Sequence, residues 1–390
     1  MEKPKIRFGK FNNKWEKNKL DTVVDFFDNQ RIPIDSGERK SGPYPYYGAS
    51  GIIDFVDGYI FNGEYVLLAE DGANIILRSS PIAYLSKGKF WLNNHAHIMK
   101  MKTGSNEFLI QLLEKQNYEK YNTGTAQPKL NGEVVKKIIL HFPSDEEQSA
   151  IGYLFRTLDD LLTSYKDNLA NYQSLKAAML SKMFPKAGQT VPEIRLDGFE
   201  REWKKSKLKD VAHRVQGNDG RMNLPTLTIS ASGGWMNQID RFSANIAGKE
   251  QKNYTLLKKG ELSYNHGNSK LAKYGVVFEL QDYEEALVPK VYHSFRVNQL
   301  ADAKFIEIMF STKIPDRELG KLVSSGARMD GLLNISFDDF MNIAIIIPTI
   351  EEQQAIGAYF SNLDQLITSY QEKITQLETL KKKLLQDMFI

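Results

Sequence analysis

The phrase EEQSAIGYLF, which begins at Glu146, is written again as EEQQAIGAYF from Glu351. An internal repeat constrains a fold more than composition does, because it commits the chain to two copies of one unit. At this offset of 205 residues Pro143 meets Pro348, Leu158-Asp159 meets Leu363-Asp364, Thr163-Ser164-Tyr165 meets Thr368-Ser369-Tyr370, and Met183-Phe184 meets Met388-Phe389, with no gap. A second repeat heads each half. PKIRFGKFNNKWEKNKL from Pro4 matches PEIRLDGFEREWKKSKL from Pro192 at an offset of 188, aligning Arg7, Trp15 and Leu20 with Arg195, Trp203 and Leu208. The second half is thus 17 residues longer between these landmarks. The flanks agree and the interiors differ, so the chain reads as two modules with one frame and separate contents.

Each repeated tail has the period of a long helix. Leu363, Tyr370, Leu377 and Leu384 fall seven apart, with Leu366 and Leu380 between them and Ile367 and Ile374 beside the seam. Leu158, Tyr165, Tyr172 and Met179 hold the matching positions in the first tail, with Leu161 and Leu175 between. An apolar seven-residue repeat of this length argues for a coiled-coil seam. PSDEEQ and PTIEEQ supply proline, a hydroxyl residue and acidic first turns, which suit helix N-termini. Two such seams in one chain are expected to pair with each other. The stretches before each tail carry β-branched and aromatic runs cut by Gly, Asp and Pro turns, and read as strand-rich. The expected fold is α+β: globular modules at residues 1–142 and 189–346, helical regions at 143–188 and 347–390, and an antiparallel coiled coil related by a pseudo-two-fold axis.

The chain has no cysteine, which excludes disulfides and thiolate metal sites. No apolar run approaches the roughly 18 residues of a membrane span, and the basic N-terminus lacks a signal-peptide core, so a cytoplasmic location is expected. The net charge of +3 is small, but the positive excess lies in the globular modules and the helical regions are slightly acidic. Any phosphate backbone would therefore be met by the modules. Catalytic signatures are missing. GERKSGPY at Gly37 has P-loop glycine spacing without the lysine. No Gly-x-Gly-x-x-Gly, no methyltransferase Asn/Asp-Pro-Pro-aromatic tetrad and no nucleophile elbow occurs. Glu202-Trp203-Lys204 has no counterpart at Trp15, and reads as charge around a structural tryptophan. His95 and His97 would face one side of a strand, a pattern open to zinc, but no third ligand is nearby in sequence and an ordinary strand is the simpler reading.

Two variable modules alternating with two similar helices that open on Pro-x-x-Glu-Glu-Gln resemble the specificity subunit of type I restriction–modification enzymes. The resemblance covers essentially the whole chain. It rests on the paired helix openings, the Trp15 and Trp203 segments, YPYYGASGIIDFVDGYIFNGEYVLLAEDG and TGTAQPKLNG in the first module, and SSGARMDGLLNISFDDF in the second. Gln127 of the first module has no match in SGARMDG, which implies that the two modules read different sequences. The resemblance implies a subunit without catalysis of its own, whose modules each read half of a bipartite site in double-stranded DNA. It further implies helices that set the spacer and dock two modification (methyltransferase) subunits, and restriction (translocase/endonuclease) subunits that join the complex. S-adenosylmethionine, ATP and Mg would belong to those partners, and none to this chain. A scaffold with two ligand-binding modules and no DNA role is the competing class, and an enzyme carrying reader and catalyst together is a third.

Base and phosphate contacts need polar or basic side chains on exposed loops. In the first module the candidates are Arg39, Lys40, Ser41, Tyr44, Tyr46 and Tyr47, and the loop bearing Thr123, Thr125, Gln127 and Lys129. In the second they are Asn265, His266, Asn268, Ser269, Lys270 and Lys273, with Ser325 and Arg328.

Overall fold

A computed structural model describes residues 3–242, 248–267, 269–323 and 332–390. It is α+β and resolves into two compact units, Met1–Asn168 with Tyr370–Ile390, and Leu169–Ser369. The two long helices, Asp145–Lys182 and Ile350–Asp387, have 38 residues each. Each begins in the unit of the module it follows and ends in the other unit. Each unit holds a module with part of each long helix.

In the first unit, the strands are β1 (Glu16–Lys19), β2 (Val24–Phe26), β3 (Ser41–Gly48), β4 (Gly51–Val56), β5 (Phe61–Ala69), β6 (Ala83–Leu92), β7 (Ala96–Met101) and β8 (Ile139–Phe142). Six of them form one sheet in the order β2-β7-β5-β6-β3-β4, and β1 pairs with β8 as a separate ribbon. The second unit continues with β9 (Lys204–Lys207), β10 (Ala212–Arg214), β11 (Leu227–Ser230), β12 (Gly234–Asn237), β13 (Thr255–Lys258), β14 (Leu262–Asn265), β15 (Val276–Glu279), β16 (Glu285–Val288), β17 (His293–Val297) and β18 (Ala344–Ile347). Its main sheet has the order β10-β17-β14-β15, and β9 pairs with β18. The frame repeats: β2 on β7 on β5 corresponds to β10 on β17 on β14, with Leu68 opposite His97 and Tyr264 opposite His293. What differs is the insertion beyond this shared part, a β3–β4 hairpin in one unit and the β11–β12 and β13–β16 pairs in the other.

The repeated sequence phrases become repeated contacts. Glu147 is 1% exposed and accepts two hydrogen bonds from Arg7, each 2.6 Å long. Glu352 does the same with Arg195 at 2.7 and 2.6 Å. Gln148 donates to the Pro143 carbonyl at 3.0 Å and accepts from the Ser105 N–H. Gln353 donates to the Pro348 carbonyl and accepts from the Asp302 N–H, both at 3.0 Å. Ser105 and Asp302 are themselves N-caps of the module helices Asn106–Lys115 and Ala303–Ser311. At Gly152 a Cβ would lie 2.5 Å from Ser105 Oγ, and at Gly357 it would lie 3.2 Å from Asp302 Oδ1. The glycine of AIG thus lies where the long helix passes close against the N-terminus of the module helix.

Each core is closed by the end of the other long helix. Phe389 stacks on Phe108 at 5.4 Å in the first unit, and Phe184 stacks on Phe305 at 5.5 Å in the second. Trp15 and Trp203 meet those module phenylalanines edge-on at 5.8 and 5.7 Å. The segment ahead of each tryptophan joins the same place: the Ile6 N–H donates to the Asp387 carbonyl, as the Ile194 N–H does to that of Lys182, both at 2.9 Å.

Within the first unit, Asp159 pairs with Lys381 and Lys166 with Glu378, while Tyr165 lies 5.3 Å from Tyr370. Residue numbers rise on one helix as they fall on the other, so the pairing is antiparallel. Lys176 pairs with Asp364 in the second unit in the same sense. The expected seam needs correction. Leu158, Tyr165, Tyr172, Met179, Leu363, Tyr370, Leu377 and Leu384 are buried or half-buried, but Leu161, Leu175, Leu366 and Leu380 are 42%, 39%, 41% and 44% exposed. The intervening positions are Leu162, Leu169 and Lys176 on one helix, and Ile367, Ile374 and Lys381 on the other. Counting four residues and then three from Leu158 keeps the buried face in phase, whereas counting three and then four points outward.

Candidate nucleic-acid interface

In the first unit, β5 runs directly into Glu70-Asp71-Gly72, and the loop 122–130 is laid across this turn. The Gly72 N–H donates to the Pro128 carbonyl at 3.0 Å, and the Leu130 N–H to that of Glu70 at 2.7 Å. Within the loop, the Thr123 N–H bonds the Lys129 carbonyl at 2.8 Å. The Asn122 carboxamide oxygen accepts from the N–H groups of Gly124 and Lys129 at 3.0 and 2.9 Å. A Cβ on Gly124 would fall 1.8 Å from the Gln127 carbonyl, so the loop closes only with glycine there. The result is a fixed loop on which Thr123, Thr125, Gln127 and Lys129 are all exposed.

Glu70 ties this surface down from beneath, accepting from Arg31 at 2.6 Å and lying 3.4 Å from Lys129. The His-x-His pair separates. His97 is 1% exposed, and its two ring nitrogens face the Asp28 carboxylate at 2.7 Å and the Leu130 carbonyl at 2.8 Å. Burial pushes the Asp28 carboxyl up, but His97, the Ile98 N–H and Arg31 outweigh it and hold the group below its ordinary range. His95 lies in the turn before β7 instead, half exposed, with Nδ1 2.8 Å from Asp71. Among the described residues no group of three or more His, Cys, Asp or Glu side chains could hold a metal ion.

The other candidates of this module are mostly engaged in their own hairpin. Tyr46 is 1% exposed with its hydroxyl accepting from the Ile34 N–H, so it is a core residue and not a reader. Tyr47 packs edge-on against Phe90 at 5.5 Å and stacks on Tyr84. Arg39 lies over the Tyr46 ring and pairs with Asp54, which leaves it little freedom to meet a ligand. Tyr44 packs on Tyr59, while Lys40 and Ser41 are exposed.

The second unit repeats the loop crossing. Gly267 bridges Leu332 as Asp71 bridges Lys129, and the Leu333 N–H donates to the His266 carbonyl at 2.9 Å. Asn265, Ser269 and Lys270 line a cleft of about 440 Å³ together with Arg241, Ser230 and Ser232. His266 is not part of that surface: it is 5% exposed, with its ring 4.6 Å from that of His293. Burial holds the His293 imidazole below its ordinary range. Lys273 is exposed beside the Tyr274 ring. Asn268, Ser325 and Arg328 lie outside the described residues.

The sequence candidates thus fall on one exposed loop in the first module and beside one cleft in the second; Asp71, His95, Arg31 and Arg241, which adjoin them, are not among the candidates. A family model for the type I restriction modification DNA specificity domain matches residues 12–172 and 200–379, the two module-plus-helix repeats. The chain belongs to the type I restriction–modification specificity-subunit family. It is 21% identical over 399 aligned positions to the type I restriction enzyme MjaVIII specificity subunit of Methanocaldococcus jannaschii, covering 95% of this chain and 91% of that one. A type I restriction enzyme specificity subunit of Haemophilus influenzae is 38% identical over 133 residues, 34% of each chain. Another from Mycoplasma pneumoniae is 26% identical over 50% of this chain and 52% of its own length. The chain thus spans about a third and about half of the length of these last two relatives. The crystal structure of the type I restriction-modification S subunit from M. genitalium superposes with a TM-score of 0.64 at 14% identity, covering 100% of this chain and 99% of that one, which is a likeness of fold. No described helix is long and apolar enough to cross a membrane.

Proposed function

We propose that this specificity subunit reads a bipartite target in double-stranded DNA, one half-site per module, and performs no catalysis itself. The observation that carries the reading is the contrast between frame and content. Arg7–Glu147 and Arg195–Glu352 are the same anchor made twice, while the loops at 70–72 and 122–130 and the cleft at Asn265, Arg241 and Lys270 present different chemistry. Two different readers on one repeated frame suit two different half-sites.

The long helices would set the spacer. A helix of 38 residues is roughly 57 Å long, on the order of one and a half turns of DNA at about 34–36 Å per turn. Their outward leucines would dock the methyltransferase subunits. Leu161 and Leu380 are exposed in the first unit, and Leu175 and Leu366 at the repeated positions in the second, a number that suits two copies of one partner. S-adenosylmethionine would enter with those subunits, ATP and Mg with restriction subunits, and the assembly would work in the cytoplasm. Co-expression with the methyltransferase subunit, followed by mapping of methylated adenines, tests the reading. A motif of two fixed parts around an unread gap is expected. Salt-insensitive binding with no preferred duplex would favour a scaffold instead.

A further inference from the structure

We infer that His95 is a base-reading residue of the first module and that Asp71 is its positioning residue. This inference rests on the DNA-reading function proposed above and names one chemical element of it.

The backbone of His95 is fixed on both sides. Its N–H donates to the Asn93 side-chain oxygen at 2.8 Å, and its carbonyl accepts from the Glu70 N–H at 2.9 Å. The ring is fixed as well. Nδ1 lies 2.8 and 3.1 Å from the two Asp71 carboxylate oxygens, and a carboxylate can only accept, so Nδ1 carries a proton. In the neutral ring this leaves Nε2 as a lone-pair acceptor, and Nε2 makes no hydrogen bond among the described residues. The side chain is 51% exposed.

His97, two residues on and inside β7, shows what a structural histidine looks like: 1% exposed, with both nitrogens facing protein oxygens. His95 is the opposite case, a ring held rigidly with one nitrogen spent and the other presented. Its surroundings are those of a reading surface. Asp71 bridges Lys129 in the loop that exposes Thr125 and Gln127. Preorganisation of this kind spares the ordering cost that a free surface side chain would meet on binding. An outward acceptor matches the exocyclic amine that adenine (N6) or cytosine (N4) offers in the major groove. His95 would therefore select a base bearing such an amine at one position of the first half-site.

The test uses the full chain in complex with its methyltransferase subunit, with methylated adenines mapped on a randomised duplex library. His95→Ala should relax one base position of one half-site by about tenfold in discrimination, with the second half-site and the spacer unchanged. Asp71→Asn should relax the same position, because a carboxamide can satisfy either tautomer. His95→Gln, which retains an acceptor, should recover part of the preference. The intact second half-site shows in the same experiment that the variant chain is folded. If His95→Ala leaves every position as selective as wild type, or lowers methylation equally on all sequences, the assignment to His95 is overturned while bipartite reading stands. If the unaltered complex yields no bipartite motif, the underlying reading fails instead.

Discussion

At the residue scale, the doubled EEQ…AIG is a docking device as well as a helix opening. Its second glutamate and its glutamine are buried against the module, while Glu146 and Glu351 are exposed at the helix start. Removing the arginine from a buried pair leaves a carboxylate without its partner, so Arg7→Ala should cost about 3–5 kcal/mol. Arg195→Ala should cost less, because the Trp203 indole N–H also donates to Glu352 at 3.2 Å. The corresponding Trp15 N–H has no partner among the described residues. Denaturant melts of both variants check this order, and equal losses would contradict it. Asp28 gives a pH prediction. Its folded pKa lies below the ordinary value of 3.8. Its contribution to stability is therefore fully present above that value and is lost as pH falls through the folded one. Asp28→Asn should destabilise the first unit at neutral pH and flatten its acid melting below about pH 4, read by melting temperature against pH.

At the element scale, the existence and length of the two helices were legible in the sequence and the phase of their seam was not. Leu161 and Leu162 are neighbours, as are Leu175 and Lys176. A search for apolar residues takes Leu175 and passes over Lys176, yet Lys176 is the inward position, its charge met by Asp364. Lys381 and Asp159 repeat this in the other unit. Only a partner helix reveals that a lysine belongs in the seam. The corrected phase separates two effects. Leu162→Ala empties a core position and should cost about 2–5 kcal/mol. Leu161→Ala should leave the melting curve within about 0.5 kcal/mol but weaken capture of the methyltransferase subunit. Thermal melts and subunit pull-down on both variants decide it. The candidate loops were likewise half legible. Gly and Thr runs mark an exposed loop at 122–130, but the apposition of Asp71 and His95 depends on strand pairing, which no local pattern encodes.

At the scale of the whole molecule, modules that keep their anchors and change their surfaces can be altered independently. Loss of the first module's reading loop should erase one half-site and spare the other. Lengthening a helix should act on neither half-site. The most direct measurement is therefore the methylated motif of a chain carrying a four-residue insertion after Thr163, assembled with its methyltransferase subunit. One added helical turn, about 6 Å, should lengthen the unread gap and leave both fixed half-site sequences as they were. An unchanged gap in an active complex, or a changed half-site, would contradict two readers held apart by a helical ruler.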